Sequence, residues 1–67
     1  MKYPKQWIMR KNLSEFELRA IQNGAAYDDY EIISETEKAV KFKIRTDYGN
    51  IWLWCPKSQL QDTLCTW

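Results

Sequence analysis

Histidine is absent from this 67-residue chain. That removes the side chain most used as a general base and most used as a metal ligand. Cysteine is scarce: Cys55 and Cys65 are the only two. Two thiols cannot complete a tetrahedral zinc site, and their spacing is not that of a C-x-x-C redox pair. With no export signal in view, two reduced thiols are expected rather than a Cys55–Cys65 disulfide. Glycine and proline number two each, which leaves no Gly-rich phosphate loop and no flexible linker. No apolar run approaches the ~18 residues of a membrane helix. The opening residues Lys2-Tyr3-Pro4-Lys5-Gln6-Trp7 lack the apolar core of a signal peptide. The cytoplasm is therefore the expected compartment, with no membrane partner. No cofactor is expected either. With no G-x-S-x-G elbow and no base to activate Cys55, the chain reads as a non-enzyme.

The apolar share, 45% of residues, suffices for one small domain spanning residues 1–67. The net charge of +1 creates no global field toward nucleic acid. The charge is nonetheless blocked. Asp28, Asp29, Glu31, Glu35 and Glu37 fall in a stretch without a base, and Lys38, Lys41, Lys43, Arg45 and Lys57 follow against Asp47 alone. Adjoining blocks of opposite sign suit pairing across a hairpin. Read as phosphate mimicry, the acidic block is too small, so a solvated strand edge is the expected role.

Aromatics reach 15%, with four tryptophans and four tyrosines. Such rings either fill a small core or anchor an interface.

The first twelve residues form the least defined part, an N-terminal arm. Pro4 opposes an early helix, and Trp7-Ile8-Met9 reads as a short strand or an arm laid on the core. A helix is well signalled next. Ser14 and Glu17 make the S-x-x-E capping box, and Leu13 and Leu18 suit a hydrophobic staple. Asn23-Gly24 supplies a stop, so the helix is expected over residues 15–23. It is too short to stand alone and must cover a sheet.

The run Lys38-Ala39-Val40-Lys41-Phe42-Lys43-Ile44-Arg45 alternates with period two, the strongest strand signal in the chain. Asp47-Tyr48-Gly49-Asn50 reads as a turn, and Ile51-Trp52-Leu53-Trp54-Cys55 as the return strand ended by Pro56. Tyr30-Glu31-Ile32-Ile33-Ser34 is the third strand. The expected fold is α+β: one capped helix on a three-stranded antiparallel meander. The tail, residues 57–67, suits one or two helical turns, with Ser58 as cap and Leu60 and Leu64 at helical spacing.

A turn centred on Tyr48-Gly49 would place Ile44 opposite Leu53, Phe42 opposite Cys55, Arg45 opposite Trp52 and Lys43 opposite Trp54. Val40, Phe42, Ile44, Ile51, Leu53 and Cys55 then share the buried face. In the first hairpin, a three-residue turn at Thr36-Glu37-Lys38 would set Ser34, Ile32 and Tyr30 opposite Val40, Phe42 and Ile44. It would also set Glu31 opposite Lys43 and Asp29 opposite Arg45. An even-numbered turn would instead bury Glu31 and Asp29, so the odd register is expected.

The opposite face would carry Trp52 and Trp54 interleaved with Lys41, Lys43 and Arg45. These five are the candidate partner-binding residues. The first reading is a protein interface, with tryptophan anchors and basic side chains that orient the partner. The alternative is a stacking platform for single-stranded nucleic acid. Glu31 and Asp29 argue against it by neutralising Lys43 and Arg45. The third reading is a structural or assembly protein whose tryptophans serve a homo-oligomer.

Thr36-Glu37-Lys38-Ala39-Val40 and Trp54-Cys55-Pro56-Lys57-Ser58-Gln59-Leu60 resemble a hairpin of small phage and prophage proteins, with pattern T-x-K-A, strand, turn and W-[I/L]-P-K-S. The resemblance spans about half the chain. Cys55 stands where those relatives carry an aliphatic residue. The resemblance implies a setting rather than a site: a phage-type protein acting by binding, as an occluding inhibitor of a host defence nuclease of the restriction or CRISPR kind. The expected partner is then a host protein, in the host cytoplasm.

Overall fold

A computed structural model describes residues 2–65 and Trp67. Its elements are β1 (Tyr3–Pro4), α1 (Gln6–Asn12), α2 (Glu15–Gly24), β2 (Tyr30–Glu35), β3 (Ala39–Thr46), β4 (Gly49–Pro56) and β5 (Leu60–Gln61). Single 3-10 turns at Tyr27–Asp29 and Lys57–Gln59 lead into β2 and β5. Strands β2, β3 and β4 form an antiparallel meander in that order, and β1 pairs with β5 in a second small sheet. The fold is α+β, as the sequence suggests.

Helix α2 begins as its residues dictate. The Ser14 side chain accepts from the Glu17 amide, and the Glu17 carboxylate accepts from the Ser14 amide at 2.9 Å. Leu13 and Leu18 are both buried. The end differs from expectation: Gly24 belongs to the last helical turn, and the Ala25 amide closes it on the Ile21 carbonyl. Gly24 is used for clearance, since a Cβ there would meet the Asp47 carboxylate at 3.3 Å.

Residues 2–12 are not an arm. Residues 6–12 are helical, with Ile8 and Met9 buried. Pro4 lies just upstream, where its missing N–H costs the helix nothing. It pairs as a strand residue with Leu60. The tail is corrected as well. Ser58 caps no helix, because residues 57–59 make one 3-10 turn and the chain then extends to pair with β1. Leu60, Leu64 and Cys65 rest on the core from outside.

The core lies between the meander and the two helices. Val40, Phe42 and Ile44 of β3, and Ile51, Leu53 and Cys55 of β4, are all buried, as the alternation requires. Ile8 and Met9 of α1 and Leu18, Ala20 and Ile21 of α2 close over them. Tyr30 meets Tyr3 edge-on at 5.6 Å and Phe42 at 6.3 Å, linking the two sheets. Both cysteines are free thiols, Cys55 fully buried.

The second hairpin is two residues out from the expected pairing. Ile44 faces Ile51, Phe42 faces Leu53, Val40 faces Cys55, Lys43 faces Trp52 and Lys41 faces Trp54. The turn is Asp47-Tyr48, not Tyr48-Gly49. The Thr46 hydroxyl donates to the Gly49 carbonyl at 2.7 Å and accepts from the Tyr48 amide at 3.1 Å. Gly49, with φ of +116°, supplies a backbone region that L-residues avoid. A slip of two keeps every side chain on its face, so the face assignment stands although the pairs change.

The first hairpin follows the expected odd register only beyond a bulge, and its turn adopts a pairing that neither expected register contains. Its turn has two residues, Glu37-Lys38. Thr36 closes it, its amide donating to the Ala39 carbonyl at 2.8 Å and its hydroxyl accepting from the Ala39 amide at 3.1 Å. That turn sets Ser34 against Lys41 and Glu35 against Val40, not Ser34 against Val40. A bulge between Ile32 and Ser34 then restores the burial register, with Ile32 on Phe42, Glu31 on Lys43 and Tyr30 on Ile44.

Replacing Ser14 by alanine should lower stability by about 1 kcal/mol, the usual worth of an N-cap, read from urea unfolding. Burial, reinforced by the nearby Cys65, Asp29 and Tyr3, pushes the Tyr30 hydroxyl up to about 12 from its ordinary 10.0. Because the folded value is the higher one, this group leaves stability untouched below about pH 10 and erodes it as pH climbs from 10 toward 12. Tyr30→Phe should flatten that alkaline limb. An unchanged limb in thermal melts at stepped pH would contradict the assignment.

Candidate functional site

The outer face of the meander is built by parity. With Val40, Phe42 and Ile44 turned inward, Lys41, Lys43 and Arg45 must turn outward, and Trp52 and Trp54 join them from β4. The structure thus brings the five candidate residues onto one surface. Trp52 is 51% exposed and Trp54 46%. The core closes without them.

The basic residues are not equivalent. Lys41 lies opposite Trp54 and holds its ammonium 5.9 Å from the indole centroid, a contact worth about 0.5 kcal/mol at an exposed site. Lys43 lies between Trp52 and Glu31 in the register. Neither lysine makes an ion pair among the described residues. Glu31 therefore does not neutralise Lys43 by contact, contrary to the expectation. Arg45 is tied down: it donates to the Asp28 carbonyl at 2.8 Å, and its Nε stands 3.8 Å from the Asp29 carboxylate. That carboxylate in turn accepts from the Ala26 amide at 2.8 Å. Arg45 thus fastens the turn before β2 to β3, and the positive charge of the face outside any ion pair among the described residues is Lys41 and Lys43.

The site extends beyond the sequence-derived set. A groove of about 340 Å³ runs between α1 and the end of the second hairpin, with Trp7, Lys11 and Asn12 on one wall and Ala39, Trp54 and Pro56 on the other. Trp7 is 50% exposed. Reading residues 1–12 as an arm hid this neighbour. The signal was present in Ile8, Met9 and Leu13, whose spacing fits one helical face and sets Trp7 and Lys11 one turn apart on its flank. The fourth tryptophan, Trp67, sits under the Arg10 guanidinium at 5.6 Å.

A second aromatic contact lies at the other end of the sheet, where exposed Phe16 meets Tyr48 edge-on at 5.8 Å. Burial pushes the Cys55 and Cys65 thiols up, Arg10 partly offsetting it at Cys65. No group of three or more metal-ligating side chains occurs among the described residues. No helix among them is long and apolar enough to cross a membrane.

No protein-family model, curated protein or solved structure matches this chain.

Because the two outer indoles contribute cross-strand contacts but no core volume, Trp52→Ala with Trp54→Ala should leave the fold intact. The cost should stay near 1 kcal/mol per residue, the scale of cross-strand pairs. Circular dichroism and urea unfolding read both quantities. A collapse of the cooperative transition would show that the rings are structural.

Proposed function

We propose that this chain is a non-catalytic binding module that uses the outer face of its meander to occlude a protein partner. The observation that carries this reading is the pair of half-exposed indoles on one face of a sheet whose core is complete without them. A large apolar surface left in water beside charged side chains is typical of an interface anchor. Lys41 and Lys43 border the indoles and supply orientation and on-rate toward an acidic surface. The groove beside Trp54 offers a pocket for a projecting partner side chain. The hairpin motifs add a setting: a phage-type inhibitor acting on a host protein in the host cytoplasm, with a defence nuclease as the target class.

A second reading has its own observation. Lys41 and Lys43 lack ion pairs among the described residues and flank two exposed rings. That is the chemistry of a single-strand platform, phosphate neutralisation beside base stacking. It predicts steep loss of oligonucleotide affinity with salt.

The deciding measurement is affinity capture from a bacterial host lysate, split into nuclease-treated and untreated halves. A protein partner retained after nuclease treatment, and weakened by at least about 2 kcal/mol (roughly thirtyfold) in Trp54→Ala, is the expected outcome. Capture that disappears with nuclease, alongside salt-sensitive quenching of tryptophan by short oligonucleotides, would move the assignment to nucleic acid.

A further inference from the structure

The two edges of the meander differ in kind. Strand β2 is defended: a bulge interrupts it at Ile33, and Glu31 and Glu35 stud it with charge. Both devices block strand addition. Strand β4 has neither. Its eight residues, Gly49-Asn50-Ile51-Trp52-Leu53-Trp54-Cys55-Pro56, carry no charge, and all eight pair with β3 without a break.

The hydrogen-bond phase of the hairpin shows which backbone groups lie open. The Lys57 amide donates to the Lys38 carbonyl at 2.8 Å. Bonded pairs therefore recur at Val40 with Cys55, Phe42 with Leu53, and Ile44 with Ile51. Asn50, Trp52 and Trp54 fall between them, so their N–H and C=O groups point away from β3. No hydrogen bond to those groups occurs among the described residues. An uncharged strand edge with free donors and acceptors is a template for another strand.

We infer that the β4 edge pairs antiparallel with the β4 edge of a second copy of this chain, joining two meanders into one six-stranded sheet. This stands apart from the proposed function, since it uses the strand edge and not the outer face. Three features favour a second copy as the occupant. An uncharged strand paired with itself sets no like charges opposite. The lysines sit one strand inward, so β3 and its symmetry mate are three strand spacings apart, about 14 Å, beyond the ~8 Å screening length at physiological salt. Antiparallel pairing also keeps the two α1 helices at opposite ends. Lys11, which lines the groove beside Trp54 and Pro56, then comes to the end of the second copy's hairpin that carries Asp47. Because β2 is blocked, the association closes as a two-fold dimer and does not propagate. The outer faces of the two copies merge, placing four indoles on one surface.

The test is sedimentation equilibrium of the full chain with no partner added, from about 1 µM to 1 mM. The comparison is a chain, assembled by ligation at Cys55, whose Trp52 peptide nitrogen is methylated. The methyl group deletes one outward donor and leaves the side chain and the β3 ladder intact. The native chain should reach twice its monomer mass. The methylated chain should remain monomeric, or dimerise at least tenfold more weakly, with an unchanged circular dichroism spectrum. Amide exchange on the native chain gives an independent readout: the Trp52 and Trp54 amides should gain at least tenfold protection with concentration, while those of Ile51 and Leu53 stay protected throughout. A native chain monomeric at every concentration would overturn the inference, as it would if the edge served a foreign strand. A dimer indifferent to methylation would overturn it too, as it would if the indole faces stacked.

Discussion

One constraint organises the molecule: β3 is central, and only one of its faces is apolar. Val40, Phe42 and Ile44 must lie inward together, so Lys41, Lys43 and Arg45 are committed outward. Both neighbouring strands must match that parity, since a one-residue slip would exchange core for surface. The turns are subordinate to this demand. At Asp47-Tyr48 the turn length suits the parity directly. At Glu37-Lys38 it does not, and the Ile33 bulge absorbs the mismatch. The bulge leaves Ile32 and Ile33 half in water, a smaller penalty than burying Glu31 unpaired.

The same constraint explains what could be read in advance. Residues that alternate or cap have short-range causes, and these were legible: the Ser14–Glu17 box, the two faces of β3 and β4, and the order of the meander. The five face residues followed from parity alone. Exact pairing was less legible, because Thr46 and Thr36 choose the turns through hydroxyl bonds that composition does not announce. The bulge was invisible for the same reason. Sequence posed two registers as rivals; the chain follows the odd one from Ile32 to Tyr30, and beside the turn it takes a third.

The ends of the chain were misread for a different reason. Helix α1 spans seven residues and has no side-chain cap. Its stability comes from Ile8 and Met9 docking on a core assembled by later residues. β1 and β5 are two-residue strands that exist through each other, tied by Lys5 to Gln59 and by the Lys2–Asp62 ion pair. Such elements have no local signature, because the partner that stabilises them lies more than fifty positions away. Trp7 and Trp54 line one groove only once α1 is docked, so the spacing of Ile8, Met9 and Leu13 signals the helix but not what Trp7 faces.

The clasp between Tyr3 and Gln61 also bears on how the domain closes. The two hairpins of the meander close over short turns, whereas α1 reaches β4 across the whole of the first hairpin, and β1 finds its partner only in β5. Until that closure, Ile8 and Met9 lack the β4 part of the core they cover. Topology that delays a docking step delays folding, so the β1–β5 closure is the contact that seals α1 against the core.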